Sequence, residues 1–334
     1  MKMDVSEIKT YKGCKRQWKL SSRNGFHLRP IVTPSHFALG TIFHEALHQM
    51  YLGVNLDKIM AFVRKEISTD NEAALLAMVP GYYNKVLPYD LDRYKVLDIE
   101  HHFEFTPCDL ETGEVLLPDI QVCGSIDMIV LDVAENAIYG FEHKTCKNFR
   151  DSSFMWMDEQ PRVYTIALQQ YIDDYNRKRH REWSLEVTGM RLQYDEAGGA
   201  CDSDLPTPNY PPEPVPATLG GIYINEVKKL LRDFRYQRTL CTYPRGDLVN
   251  FSKAFFGMCN MCRHSVEDND PAYPSPSYFS CQMCDFKTIC ETYMYSTLDK
   301  DTVIEEFQEE FMVRETDHLD EKAERQAPGG NDNG

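Results

Sequence analysis

The sequence predicts a mixed α/β fold, a central sheet flanked by helices, with a cysteine-rich C-terminal segment closing on an N-terminal helix. Two observations carry this. Apolar residues recur at helical spacing over 4–20, 39–52, 55–87 and 158–177. Segments 95–106, 120–133, 138–145 and 186–194 instead carry the β-branched, aromatic and alternating pattern of strands. Helices, three strands, a helix and a strand in that order describe an α/β core.

The chain divides accordingly. Residues 1–90 are the N-terminal helical region and 91–195 the core. Residues 196–221 are a loop, with Gly198 and Gly199 followed by six prolines. Residues 222–298 hold a basic helical stretch (Lys228, Lys229, Arg232, Arg235, Arg238) and then the cysteines. Residues 299–334 are an acidic tail, expected to be disordered.

Length and composition set limits. At 334 residues, with 42% hydrophobic and 26% charged side chains, the chain can bury an ordinary globular core. No apolar run reaches the roughly 20 residues of a membrane span, and the start carries no secretory h-region. A cytoplasmic setting is expected, the host cytoplasm if the chain is phage-encoded, and there the eleven cysteines point to metal or cluster ligation rather than disulfides. The formal charge of −16 argues against loose coating of nucleic acid. Half of it lies in residues 299–334, so a focused anion site elsewhere remains compatible with it.

The chemistry concentrates between Cys123 and Thr145. If Ala134–Ala137 form the turn, Val133 faces Ile138, Asp127 faces Lys144 and Ile129 faces Glu142. Asp127, Glu142 and Lys144 then share a face of the hairpin, provided the register does not slip by one. Buried charges need partners or a metal. Paired carboxylates suit Mg²⁺ or Mn²⁺, which polarise phosphodiesters, and a lysine beside them can neutralise developing charge. A structural Asp–Lys pair with one exposed Glu is the plainer reading of the same residues.

Asp127 followed, fifteen positions on, by Glu142-His143-Lys144 resembles the PD-(D/E)XK nuclease signature. Gly124-Ser-Ile-Asp127 and Glu142-His-Lys-Thr145 resemble its RecB-like branch, which includes the CRISPR-associated exonucleases called Cas four and phage relatives. Ile126 stands where the signature's name has Pro. Gly40-Thr-Ile-Phe-His44 resembles the upstream Gly-x-x-x-His element, and Gln160-Pro-Arg-Val-Tyr164 the Gln-x-x-x-Tyr helix motif. The resemblance implies a restriction-endonuclease-like core. His44, Asp127 and Glu142 would be metal ligands, with the His143 carbonyl as a further one. Lys144 would orient or activate water, and Gln160 and Tyr164 would support the site. It further implies an exonuclease on single-stranded DNA ends, in recombination, repair or processing, working alone or with a helicase or recombination partner. A non-catalytic nucleic-acid-binding module of the same fold is the alternative.

His44-Glu45-Ala-Leu-His48 also spells the His-Glu-x-x-His zinc-protease motif. That reading leaves Asp127, Glu142, Lys144, Gln160 and the cysteines without roles.

The cysteines admit two arrangements. Cys259-x₂-Cys262-x₁₈-Cys281-x₂-Cys284 has zinc-ribbon spacing. Cys14 with Cys281-x₂-Cys284-x₅-Cys290 instead resembles the RecB-like iron–sulfur nucleases, and implies a structural [4Fe–4S] cluster joining the chain ends. Basic groups at Lys9–Arg23, Arg177–Arg181 and Lys228–Arg238 are candidate phosphate contacts, and Tyr11, Trp18 and Phe26 candidate base-stacking rings.

Overall fold

A computed structural model describes residues 1–32, 35–67, 72–196, 211–230 and 233–314; of residues 35–38, 72 and 191–196 it describes the backbone alone. In chain order the elements are β1 (Lys2–Asp4), α1 (Val5–Gly13), α2 (Lys15–Ser21), β2 (Leu28–Pro30), α3 (Ser35–Tyr51), α4 (Leu56–Glu66) and α5 (Glu72–Lys85). Next come α6 (Leu87–Arg93), β3 (Tyr94–Phe105), β4 (Gln121–Asp132), β5 (Ala137–Cys146), α7 (Ser152–Met157) and α8 (Glu159–Glu196). The chain continues with β6 (Thr218–Lys228), β7 (Tyr236–Cys241), α9 (Arg245–Glu267), α10 (Tyr278–Gln282), α11 (Lys287–Thr292), α12 (Lys300–Glu306) and β8 (Phe311–Val313).

The central sheet runs β1-β4-β5-β6-β7, with β3 on the other edge of β4, and it is mixed: β1 pairs β4 and β5 pairs β6 in parallel. One face, with Ile129, Leu131, Ile138, Ile222 and Ile224, packs on Val163, Ile166 and Leu168 of α8 and Phe255 of α9. The other, with Val130, Tyr139, Phe141 and Val227, packs on Leu47, Ile59, Leu75 and Met78 of α3–α5. Apolar side chains on both faces explain why β4 is buried along nearly its whole length.

The two chain ends meet in a third cluster. β2 pairs antiparallel with β8, and Leu20, Phe26 and Leu28 pack on Phe286, Ile289, Val303 and Phe311. Arg16, wholly buried, fastens the same junction by donating to the carbonyls of Ala272, Tyr293, Met294 and Ser296.

Several expectations need correction. The helix over 4–20 is two helices, broken at Cys14, whose backbone is extended. Residues 186–194 are no strand; they continue α8. Bonds from the outer half of α8 to the returning chain favour this: Trp183 to the Pro211 carbonyl at 2.9 Å, and Asn176 to both backbone groups of Ala217. The missing parallel strand is β6, which begins inside the expected loop. Gly221 (φ +125°) permits its entry, with an irregularity opposite Ile138 and Tyr139.

The basic stretch Lys228–Arg238 is no helix either, since Lys228 ends β6 and Arg235–Arg238 lead into and join β7. Residues 299–314 of the tail carry α12 and β8 and are folded. Residues 315–334, most of the Pro-rich loop (197–210) and Arg232 lie outside the described residues.

Candidate metal and catalytic site

The β4–β5 hairpin turns one residue earlier than expected, over 133–136, because the Asp132 carboxylate accepts from the Ala134 and Glu135 amides. Asp132 pairs with Ala137 and Met128 with Phe141. Asp127 therefore faces Glu142 rather than Lys144, and the register differs from expectation by two. Such a shift keeps each side chain on its face, whereas a shift of one would have scattered the cluster.

β4 and β5 separate beyond Met128 and Phe141, and β1 pairs with β4 only over Gln121–Cys123. The candidate site occupies this fork. There the Asp127 carboxylate replaces the ladder partner, accepting from the His143 amide at 2.7 Å. The fork opens into a cleft of ≈ 300 Å³ lined by Asp4, Lys9, His44, Asp127, Glu142, Lys144, Gln160 and Tyr164, among others. Gly124 at its edge leaves room for the Phe103 ring, which a Cβ would approach to 2.5 Å.

Helices supply the remaining groups. α3 brings His44 Nδ1 to 3.6 Å from Asp127 Oδ2. From α8, Gln160 donates through Nε2 to Glu142 Oε1 at 2.9 Å and to the Tyr164 hydroxyl at 2.8 Å. Spacing i, i+4 puts Gln160 and Tyr164 on one helix face, as their contact requires. Lys144 pairs with Glu142 Oε1.

One residue was missed from the sequence. Glu100 lies across from Asp127, between the pairs Ile99–Met128 and His101–Ile126, with a left-handed backbone (φ 55°). A non-glycine residue held there stores strain that often accompanies function. His44, Glu100 and Asp127 have ligand atoms within 4.8 Å of one another, the one such group among the described residues. The signals were its break in strand geometry and its place opposite Asp127, and neither is visible in a linear pattern. Glu142 stands beside this group and is not part of it.

Three carboxylates (Glu100, Asp127, Glu142) converge beside Lys144, while Lys9, the other lysine of the cleft, pairs with Asp158. Burial, then Glu142 and Glu100, pushes the Asp127 carboxyl well above its ordinary range. Burial alone would lower Lys144, but Glu142 and Asp127 override it and hold the ammonium above its ordinary value. Glu142 Oε2 is buried with no hydrogen-bond partner among the described residues. An orphaned carboxylate oxygen, two more carboxylates and an imidazole are the donor set a hard divalent cation takes.

The reverse face of β5 is polar too. His143 is buried and held neutral, with its pKa pushed well down by burial and then by His44. Its Nδ1 lies 3.3 Å from Asn225 Nδ2, and Asn225 Oδ1 accepts from Arg238 Nε at 2.6 Å. Arg238 makes a two-pronged pair with Asp90 at 2.7 and 2.8 Å, and Asp90 also accepts from Tyr51.

The cysteines divide. Cys14, Cys281, Cys284 and Cys290 line one cavity of ≈ 340 Å³, with Arg16 at its wall. The amides of Ser275 and Ser277 donate to the sulfurs of Cys14 and Cys281 at 3.5 and 3.4 Å. Cys259 and Cys262, on α9, are wholly buried in the main apolar core with Ile8, Tyr11 and Trp18. The structure gathers the first set of four and leaves the zinc-ribbon set apart. Among the other residues singled out, Tyr11, Trp18 and Phe26 are core. Glu45 accepts from Gln49 along α3, and His48 does not join the His44 ligand group.

The family profile of the PD-(D/E)XK nuclease superfamily matches residues 2–291. Among curated proteins none matches the chain. Among solved structures, the crystal structure of SSO0001 is similar over 89% of this chain and 88% of its own, at 10% identity and a TM-score of 0.34, too weak a likeness to build on. No helix among the described residues is long and apolar enough to cross a membrane.

Proposed function

Because this chain belongs to the PD-(D/E)XK nuclease superfamily, we propose that it is a Mg²⁺- or Mn²⁺-dependent exonuclease. Its substrate on this reading is DNA with single-stranded ends, met in recombination, repair or processing. The observation that carries the reading is the fork between β4 and β5, where Glu100, Asp127 and Glu142 converge beside Lys144 and Glu142 Oε2 is buried without a partner among the described residues. His44, Glu100 and Asp127 would hold the cation, with Glu142 and the His143 carbonyl beside it. A divalent ion there supplies charge stabilisation at the phosphodiester and lowers the pKa of water.

The chain's own groups do the rest. Lys144 is held as an ammonium by Glu142 and Asp127, so it donates a hydrogen bond and offsets charge growing on the phosphoryl oxygens. Gln160 fixes one Glu142 oxygen, and the other is buried with no hydrogen-bond partner among the described residues. Tyr164 stays a neutral hydroxyl, its pKa pushed well up by burial and then by Glu142 and Asp127.

A structural [4Fe–4S] cluster on Cys14, Cys281, Cys284 and Cys290 belongs to the same proposal. Support comes from their shared cavity and from the amide donors to two of the sulfurs. No three cysteine sulfurs among the described residues lie within 4.8 Å of one another. One tetrahedral zinc needs them about 3.8 Å apart, given Zn–S near 2.3 Å. A cluster here would reinforce the junction already closed by Arg16 and by the β2–β8 pair.

The test uses anaerobically purified full chain with end-labelled single-stranded DNA, duplex DNA and closed circular DNA. Metal-dependent release of mononucleotides or short fragments from linear single strands, lost in Glu142→Ala and Lys144→Ala, is the expected result. Cutting of closed circles would replace the exonuclease reading with an endonuclease one. Binding without cleavage under any divalent metal would leave only a nucleic-acid-binding module. Iron and acid-labile sulfide in equal amounts, absent from Cys14→Ser, are expected; zinc alone would overturn the cluster.

A further inference from the structure

The catalytic cleft has a second wall, supplied by α1. β1 ends where Asp4 pairs with Cys123, four positions before Asp127, and the chain turns there directly into α1. Asp4 caps that helix by accepting from the Glu7 amide at 2.8 Å. The first turns of α1 are thereby fixed beside the fork, and Val5, Ser6 and Lys9 line the cleft. Lys9 lies one turn beyond Val5 and Ser6, so the three share a face of the helix.

Lys9 is tied into the catalytic framework. Its ammonium donates to Asp158 Oδ1 at 2.5 Å, and the same oxygen accepts from the Gln160 amide at 3.0 Å. Gln160 in turn reaches Glu142 through its side chain at 2.9 Å. The tie is also releasable. The Lys9 side chain is 41% exposed, and ion pairs so open to water are weak. Arg150 Nη1 stands 3.5 Å from the other Asp158 oxygen, so that carboxylate keeps a cation when Lys9 leaves it.

The charge of the cleft calls for such a cation. Glu100, Asp127 and Glu142 converge there, and Lys144 is committed to Glu142. A single strand brings a further negative charge with every phosphate. Lys144 and a bound metal act on the phosphate that reacts, and its neighbours must still be held beside carboxylates. Lys9, whose ammonium rests on Asp158 rather than on any of those three, is the other lysine of the cleft.

We propose that Lys9 is a substrate-binding residue, which exchanges Asp158 for a phosphate neighbouring the one that reacts. This rests on the nuclease reading and adds to it a residue that seats the strand. A phosphate contact reads no base, so Lys9 acts on every sequence alike. Lys12, farther along α1, makes the matching pair with Glu159 at 2.5 Å but is not among the residues lining the cleft. It is the internal control.

The experiment measures binding of labelled oligothymidylate to the full chain in Ca²⁺ over a series of salt concentrations, and steady-state cleavage in Mn²⁺. Lys9→Gln should bind roughly 3- to 10-fold more weakly at low salt. Its plot of log affinity against log salt should be shallower by about 0.7, the share of one phosphate contact on a single strand. In cleavage the loss should appear in KM rather than in kcat. Lys9→Arg should keep affinity and slope, and Lys12→Gln should match wild type. Unchanged affinity and slope in Lys9→Gln would overturn the contact, with the nuclease reading intact if wild type cleaves. A lower kcat at unchanged affinity would overturn it equally, leaving Lys9 as a brace for Asp158 and Gln160. Equal losses in Lys9→Gln and Lys12→Gln would reduce it to general surface charge. Wild type that neither binds nor cleaves would overturn both readings.

Discussion

Arg238 and Asp90 support the catalytic strand from behind, and removing one of them is predicted to be worse than removing both. Asp90 is 2% exposed, and its carboxylate accepts two bonds from Arg238 and one from Tyr51. In Arg238→Met the carboxylate keeps only the Tyr51 hydroxyl among the described side chains, and Asn225 Oδ1 loses its 2.6 Å donor. An uncompensated buried charge costs about 3–5 kcal/mol, out of a total stability of about 5–15 kcal/mol. The double variant Asp90→Leu/Arg238→Met removes the charge as well. The orphaned Asn225 acceptor should then remain as the main loss, about 1–3 kcal/mol. Urea denaturation followed by circular dichroism, on wild type, both single variants and the double variant, closes the cycle. A cost below about 1 kcal/mol in Arg238→Met would refute the reasoning, since a buried pair cannot be broken so cheaply. Strict additivity of the two single variants would refute it equally.

Three further outcomes follow from the site. Glu100→Gln should weaken Mn²⁺ binding by at least about tenfold in calorimetric titration, as expected when a ligand or its immediate support is lost; unchanged affinity would remove Glu100 from the site. Gln160→Ala frees Glu142 Oε1 from its 2.9 Å donor and should slow cleavage about 100-fold at unchanged melting temperature. Equal loss of rate and stability would instead make Gln160 a packing residue. Glu7 is pushed up from 4.5 to about 7 by burial and then by Asp4, so the folded chain keeps its proton where the unfolded chain has released it. Its contribution is fully present below pH 4.5 and is lost as pH rises toward 7. Glu7→Gln should therefore gain on wild type by about 3 kcal/mol between acid and pH 8, read from melts at both ends.

What the sequence made legible was governed by pattern length. β3, β4 and β5 are ten to twelve residues long and apolar or alternating, and their expected ends fall within a residue of those observed. Asp127, Glu142 and Lys144 could be read together from strand alternation, whereas Gln160 and Tyr164, an i, i+4 pair on one helix face, joined them only through the resemblance. The register was missed by two because Asp132 caps the turn through its side chain, a local bond that hydrophobic pattern does not encode.

Leu185-Glu-Val-Thr-Gly-Met alternates like a strand, yet it extends a helix already propagating from Glu159, where each added residue gains a bond. β6 was hidden by its neighbours. Prolines precede it and Gly220-Gly221 interrupts it, although its Ile222–Val227 stretch alternates onto both packed faces of the sheet. Glu100 was hidden for a tertiary reason: nothing within strand 95–106 distinguishes it from Glu104 until Asp127 is placed opposite. Cys14 could be grouped with the C-terminal cysteines only through resemblance, since about 270 residues separate it from Cys281.

The central claim is that the fork between β4 and β5 uses a divalent cation to cleave nucleic acid. The most direct measurement is the release of acid-soluble nucleotide from uniformly labelled single-stranded DNA by wild type and Asp127→Asn, each with Mn²⁺ or Mg²⁺ and with EDTA. The account predicts release by wild type with metal, none with EDTA, and a rate at least about 100-fold lower in a folded Asp127→Asn. Release that survives EDTA, or an Asp127→Asn protein as fast as wild type, would contradict it.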